Sequence, residues 1–327
     1  MKFVFIIDPI ENIDPTHDST IAMMEGAQEL GHEVYITSME QLTVIKGKAY
    51  AHLQQITLQP VTLQDGHWHA QDDWYQLEET IFLPLEETQA VFMRQDPPVT
   101  IPYLYTTYIL DLIDNEKTKV INSPAGVRSA NEKMYALQFT SVIPETIVTQ
   151  SKSVIADFLA KKGAVVIKPL GGKAGEGILF LKQDDRNFNS LIEISTKQGQ
   201  EPIMVQEYLP SAKDGDKRII LLNGEPIGAV NRIPQGKDFR GNMAVGGASA
   251  KTEITPQELE ICATVAPKLK ADGLYFVGID VIGGRLTEIN VTSPTGIREI
   301  DLFNQVSLGK QTIKFVESLF SKDKAKI

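Results

Sequence analysis

Phe276-Val-Gly-Ile-Asp-Val-Ile-Gly-Gly-Arg-Leu-Thr-Glu-Ile-Asn-Val291 is the stretch that decides the fold. Two runs of alternating apolar and polar residues meet at Gly283-Gly284, the pattern of a β-hairpin. A two-residue loop would set Asp280 opposite Thr287 and carry Glu288 across from Ile279, mixing charge into an apolar face. A three-residue loop, Gly283 to Arg285, sets Asp280 opposite Glu288 instead. Val277, Ile279, Val281, Thr287, Ile289 and Val291 then share one face, and Asp280, Glu288 and Asn290 share the other. A slip of one residue turns every side chain over, so the second register is the consistent one. Carboxylates directly opposite each other destabilise a sheet unless something neutralises them. Oxygen-only ligands suit a hard cation, Mg2+ or Mn2+, of the kind that bridges carboxylates to phosphates.

Upstream, Arg218 to Leu222 and Glu225 to Arg232 flank Asn223-Gly224, a second hairpin signal. Antiparallel pairing is therefore expected from Ile203 onward, with Pro234 to Ala250 as a long glycine-rich loop. Earlier still, Lys168-Pro-Leu-Gly-Gly-Lys-Ala-Gly-Glu-Gly177 sets a lysine at the end of a strand and then four glycines. Glycines let backbone N–H groups cradle phosphate oxygens, and lysines add point charge. The segment is not a P-loop, since the Gly-Lys-Ser/Thr ending and the following helix are missing. It reads equally as a phosphate flap between strands or as a glycine-rich turn with a solvated lysine. Lys133, Arg218, Arg232 and Arg298 are further cations near turns. With Lys168 and the oxygen triad they describe a nucleotide-metal site.

The first third alternates strands and helices: strands at Phe3 to Ile7, Val34 to Thr37, Ala90 to Met93 and Lys119 to Ile121, helices after Asp18-Ser19 and over Tyr103 to Glu116. This predicts a parallel α/β layer, with hairpins in the insert Leu42 to Leu85. The expected division is an α/β domain over residues 1–122, a small central domain over 123–202 and an antiparallel-sheet domain over 203–327.

The chain has 327 residues, 42% hydrophobic and 23% charged, so it is globular rather than disordered. Its 32 Lys plus Arg against 42 Asp plus Glu give a net charge of −10, which argues against nucleic acid or an anionic membrane as partner. No uncharged apolar stretch reaches about 18 residues, and the N-terminus lacks a signal-peptide core, so a cytoplasmic protein is expected. The single cysteine, Cys262, falls in an apolar-periodic run and reads as a core thiol. All five histidines lie in the first 70 residues, which leaves no Ser-His-Asp or Cys-His arrangement in the rest. His67 and His69, with Trp68 between them, read as part of a surface hairpin. Chemistry without a titrating base fits phosphoryl transfer, where positioning and electrostatics supply most of the rate.

These residues carry a resemblance. Ile7-Asp-Pro-Ile10 with Asp18-Ser19, Met93-Arg-Gln-Asp-Pro-Pro98, Asn131-Glu-Lys133, Ile167-Lys-Pro-Leu170, Asp214-Gly-Asp-Lys-Arg218, Arg232-Ile-Pro-Gln-Gly236, Arg240-Gly-Asn242, Gly278-Ile-Asp280, Thr287 to Thr295 and Arg298-Glu-Ile300 recur in order and spacing. Over essentially its whole length the chain resembles the bacterial glutathione synthetases, which are ATP-grasp ligases. The resemblance implies an ATP-grasp fold, α/β at the N-terminus and α+β in the C-terminal half, with ATP between the central and C-terminal domains. It implies the joining of γ-glutamylcysteine and glycine into glutathione, with ADP and phosphate released, through an acyl phosphate.

The resemblance also implies roles. Lys133 and Lys168 match phosphate-binding lysines, with the flap glycines Gly171, Gly172, Gly175 and Gly177 beside them. Gln206, Glu207, Tyr208 and Leu209 match the adenine segment, and Asp216 the ribose contact. Asp280, Glu288 and Asn290 match ligands of Mg2+ or Mn2+, and Arg218 and Arg232 the catalytic arginines. Arg94, Ser293, Thr295 and Arg298 are candidates for the dipeptide's carboxylates. Gly236, Arg240, Gly241, Asn242, Gly246 and Gly247 fall in a lid loop that shields the intermediate from water. A homo-oligomer is implied as well. Two stretches depart from the family pattern: the flap, commonly Asp-Gly-x-Gly-Gly, here Gly171-Gly-Lys-Ala-Gly175, and the lid, with Lys237, Asp238 and Phe239. Another ATP-grasp ligase with a different acceptor, or a nucleotide-binding regulator that has lost turnover, would share the nucleotide motifs. The regulator would be expected to have lost a metal ligand or a phosphate lysine, and this chain retains all five.

Overall fold

The computed structural model describes residues 1–172, 175–236, 241 and 246–323. Three mixed or antiparallel sheets and a small hairpin make up the chain.

The run Phe-Val-Phe-Ile forms β1 (Lys2–Ile6) in the middle of the first sheet, where both faces are covered. Helix α1 (Ser19–Glu29) follows; the Asp18 carboxylate accepts from the Ile21 N–H as its N-cap. Next come β2 (Glu33–Thr37), β3 (Leu42–Ile45), β4 (Lys48–Leu58), β5 (Thr62–Gln64), β6 (His67–His69), β7 (Tyr75–Pro84), β8 (Ala90–Met93), α2 (Ile101–Leu110) and β9 (Lys119–Ile121). The sheet runs β3-β4-β2-β1-β8-β9, with β7 also on β4. Strands β2, β1, β8 and β9 are parallel and the insert pairs antiparallel, so the expected hairpins extend the parallel layer. Helix α2 stops at Leu110 instead of reaching Glu116. The Asp114 carboxylate accepts from the Glu116 N–H, an Asx-type turn that competes with helix. Helix α3 (Pro124–Ser129) then leads out of this sheet.

The second sheet is built from β10 (Thr146–Thr149), α4 (Lys152–Lys162), β11 (Ala164–Pro169), β12 (Leu179–Lys182), α5 (Phe188–Ser195) and β13 (Ile203–Glu207). Its order is β10-β13-β11-β12, all antiparallel. Strand β13 is an inner strand here, so this sheet extends past residue 202 to Glu207. It has a core of its own around Phe158, Ile167, Leu181 and Val205.

The third sheet contains β14 (Asp216–Leu222), β15 (Glu225–Ile233), β16 (Ala248–Lys251), β17 (Phe276–Ile282) and β18 (Arg285–Asn290), with α6 (Pro256–Ala271) between β16 and β17. The order β16-β15-β14-β17-β18 is antiparallel throughout. The stretch 234–250 is therefore not all loop: Ala248 to Ala250 open strand β16, which pairs with β15. Cys262 on α6 is buried, and burial pushes its thiol up to about 12. Helices α7 (Ile297–Asn304) and α8 (Leu308–Asp323) close the chain, α8 against α1. The first and third sheets share two cores, one holding Val4 with Ile279 and the other Phe5 with Ile220. They form one body, whereas the second sheet does not draw on those cores.

At the deciding hairpin Asp280 does face Glu288, but by a different device. Ile282 pairs with Arg285 across a two-residue turn in which Gly283 and Gly284 have φ of 55° and 72°. Positive φ at both positions is what the hairpin turn that matches strand twist demands, and Gly-Gly supplies it without strain. A bulge at Thr287 then shifts the register by one. Leu286, not Thr287, consequently takes the apolar face with Val281, Ile289 and Val291.

Candidate active site

The three carboxylate and amide side chains sit where two hairpins meet. Strand β14 pairs with β17, placing Arg218 opposite Asp280. The Arg218 guanidinium grips the carboxylate with both arms, Nε to Oδ1 at 2.5 Å and Nη2 to Oδ2 at 3.0 Å. Arg232 approaches the same carboxylate, Nη2 to Oδ1 at 3.0 Å, and also donates to Asp216 Oδ2 at 2.7 Å. Burial alone would raise the Asp280 carboxyl, but the two guanidinium groups outweigh it and hold it well below the usual range. For Asp216 burial wins, and its carboxyl is pushed up to about 6 against the pull of Arg232. Gly278 makes room for this arrangement: a Cβ there would lie 3.0 Å from Arg218 Cδ and 2.9 Å from Pro294 Cβ.

Lys133 joins the site from the segment after α3. Its Nζ donates to the Gly172 carbonyl at 2.7 Å and pairs with Glu288 at 3.2 Å, tying flap to hairpin. Lys168, at the end of β11, donates to Gln206 Oε1 at 3.0 Å and the Thr287 carbonyl at 3.5 Å. Burial lowers the Lys168 ammonium, opposed by Glu288 and Asp216.

Two openings adjoin these cations. A small cavity is lined by Lys168, Gln206, Glu207, Tyr208, Leu209 and Asp216, together with Gly241. A larger one, about 1000 Å3, has Lys133, Gly172, Gly175, Gly247, Arg218, Arg232, Asp280, Glu288 and Asn290 on its wall, together with Arg94, Ser293 and Thr295. Arg94 reaches it from β8, its Nε donating to Thr20 Oγ1 at 3.0 Å and its Nη2 to the Pro294 carbonyl at 3.0 Å.

Other candidates fall elsewhere. Gly171, Gly177, Gly236 and Gly246 line neither opening, while Arg240, Asn242 and residues Lys173, Lys237, Asp238 and Phe239 lie outside the described residues. Arg298 is also off both walls. Its guanidinium pairs with Glu25 at 2.8 Å and donates to the Pro15 carbonyl at 3.1 Å beside the Trp68 ring, while its Nη2 is buried without a hydrogen-bond partner. Trp68 donates to the Arg298 carbonyl at 2.8 Å, so the β5–β6 hairpin braces α7.

Glu132 lines the larger cavity, a position that reading by charge passes over. One of its oxygens accepts from Val291 N (2.9 Å), Thr292 N (3.1 Å) and Thr292 Oγ1 (2.8 Å), and its carbonyl accepts from Ile289 N (3.1 Å). Its place within Asn131-Glu-Lys133, between polar neighbours, was the available signal. Asn122, which lines neither cavity, bonds Phe276 N and O and the Val291 carbonyl, each at 2.8–2.9 Å, and ties the end of β9 to the third sheet.

Asp280, Glu288 and Asn290 offer only carboxylate and amide oxygens, the set a hard divalent cation takes. Among the described residues no group of three or more His, Cys, Asp or Glu could hold a metal alone.

Lysines, paired arginines and paired carboxylates meet at a junction between two antiparallel sheets, within the residues that match an ATP-grasp domain, so the chain is of the ATP-grasp class. The fold agrees: the chain superposes on the ATP-grasp ligase PsnB with a TM-score of 0.61 at 18% identity, covering 97% of this chain and 98% of that one. On the D-cycloserine synthetase DcsG the TM-score is 0.64 at 13% identity, covering 98% and 99%. Within the class, residues 1–128 match the N-terminal domain of prokaryotic glutathione synthetase and residues 132–305 its ATP-grasp domain. The glutathione synthetase of Synechocystis sp. is 63% identical over 98% of this chain and 100% of its own length. That of Nostoc sp. is 62% identical over 97% and 98%, and that of Gloeobacter violaceus 47% over 97% and 96%. The chain belongs to the prokaryotic glutathione synthetase family.

Proposed function

We infer that the protein is the ATP-dependent ligase that joins γ-glutamylcysteine and glycine to give glutathione, ADP and phosphate. The full-length likeness to glutathione synthetases at 60–63% identity carries this reading. The geometry supports how the residues divide the work. The adenine fits the small cavity beside Gln206 to Leu209, with Asp216 at the ribose. Lys133 and Lys168 neutralise the phosphates, one bound to the flap and one to the hairpin, so both sides of the nucleotide are held. Mg2+ or Mn2+ at Asp280, Glu288 and Asn290 supplies charge neutralisation for the phosphates.

Arg218 and Arg232 face the position where charge develops as the γ-phosphoryl moves to the cysteinyl carboxylate. Because their partner Asp280 is buried, the two guanidinium groups are oriented before substrate arrives, which is what lowers a barrier electrostatically. The acyl phosphate that results is open to hydrolysis, so the loop over residues 234–247 has to exclude water while the glycine amine attacks. Arg94, with Ser293 and Thr295 beside it, supports carboxylate binding at the dipeptide end. Arg298, a candidate for the same carboxylates, lies off the cavity wall and contacts Glu25 and the Pro15 carbonyl.

The three-part division belongs to this proposal, with the second boundary moved to follow Glu207. So does a homo-oligomer, supported by the exposed apolar face of α2 at Ile101, Tyr105 and Tyr108. A cytoplasmic location fits too; among the described residues no helix is long and apolar enough to cross a membrane. The test is ADP release with ATP, Mg2+, γ-glutamylcysteine and glycine, omitting one component at a time. Release that needs both amino substrates, with equimolar glutathione, is expected. Release with the dipeptide but no glutathione on adding glycine would mean a different acceptor.

A further inference from the structure

Glu299, in the first turn of α7, lines the larger cavity at the end built by residues 8–20. It is 4% exposed. Its Oε1 lies 3.0 Å from His17 Nδ1, while its Oε2 is buried without a protein partner. A buried carboxylate oxygen left without a donor is costly, and on a residue that lines a ligand cavity it is an acceptor that a ligand's donor can satisfy. No ion pair joins Glu299 to the adjacent Arg298 among the described residues; Arg298 goes to Glu25. The helix start is pinned from three sides: Ile297 N donates to Ser19 Oγ at 3.1 Å, Trp68 holds the Arg298 carbonyl, and the Arg298 side chain holds Pro15. The backbone that carries the carboxylate is thus fixed in place before anything binds.

We propose that Glu299 recognises the α-ammonium of the γ-glutamyl group of the donor dipeptide. This rests on the glutathione-forming reading above. The reaction brings two primary amines into the cavity, and their chemistry separates them. Glycine's nitrogen must shed its proton to attack, so a carboxylate against it would stabilise the unreactive form. The γ-glutamyl ammonium keeps its proton throughout and sits at the far end of the dipeptide from the reacting carboxylate. A permanent cation remote from the phosphoryl transfer is what a buried carboxylate with one oxygen left without a partner suits.

The test compares γ-glutamylcysteine with glutaryl-cysteine, which differs only in carrying hydrogen in place of the ammonium. In the unmodified protein the analogue should lose about 10- to 100-fold in kcat/KM, the range of one charge-assisted contact. Glu299→Gln should lose about the same with γ-glutamylcysteine and little more with the analogue, so that the two substrates become nearly equal. The KM for glycine should not move. Equal loss on both substrates in the variant would overturn the assignment, as would an effect confined to the KM for glycine. Should the variant fail to fold, equal kcat/KM for the two substrates in the unmodified protein overturns it alone. Absence of glutathione from γ-glutamylcysteine in that protein would instead refute the underlying reading.

Discussion

Asp280 is one carboxylate gripped by two guanidinium groups, and the geometry depends on a residue with no side chain. Gly278 leaves the gap through which Arg218 passes. Gly278→Ala should fold, since it adds one carbon to a strand, yet push Arg218 off its seat. A displacement of that order costs about 10- to 100-fold in turnover; steady-state kinetics beside an unchanged circular dichroism spectrum would show it. Asp301 offers a separate prediction. Burial raises its carboxyl to about 7, against 3.8 for the free group. Between roughly pH 4 and 7 the folded chain keeps this proton and the unfolded chain has lost it, so stability from this group is present at low pH and declines as pH rises through that window. Asp301→Asn keeps an oxygen to accept from Leu308 N and removes the ionisation. Its melting temperature relative to the parent should rise by a few degrees between pH 5 and pH 8.

Among elements, the β17–β18 hairpin was the most legible, because alternation of apolar and charged residues admits one register that keeps charge off the core. The means of reaching that register was not. Whether an extra residue sits in a turn or in a bulge depends on backbone φ at Gly283 and Gly284, which alternation does not report. Strand β16 was missed because Ala248-Ser-Ala-Lys251 has no apolar alternation; its pairing with β15 is a backbone matter. The contacts of Arg298 were not legible because its partners, Glu25, Pro15 and Trp68, are more than 200 residues away, and no local pattern links them. Glu132 acts at this scale as a clamp between the Lys133 segment and the exit of β18. Glu132→Ala would leave three donors of residues 291–292 unpaired, at about 1–3 kcal/mol each if they stay dry. It should lower the melting temperature and raise the Mg2+ concentration for half-maximal activity, whereas Glu132→Gln, which still accepts, should do neither to the same degree.

For the whole molecule, the partition of cores matters most. The first and third sheets share theirs, while among the described residues the buried core of the second sheet is built with α4 and α5, and this sheet supplies Lys168 and the flap. An element joined to the body by few buried contacts opens at lower free energy than the body itself. Leu181→Ala, at a fully buried position of that small core, should cost about 2–5 kcal/mol. Hydrogen exchange should then quicken over residues 146–207 and stay unchanged in β1, β8 and β17; uniform quickening would contradict the partition.

The central claim is that these residues activate a carboxylate by phosphoryl transfer and hand it to glycine. Its most direct measurement uses γ-glutamylcysteine labelled with 18O in the cysteinyl carboxylate, with ATP, Mg2+ and glycine, and mass analysis of the phosphate released. Transfer through an acyl phosphate puts one 18O into each phosphate formed with glutathione. Unlabelled phosphate accompanying glutathione would contradict the account.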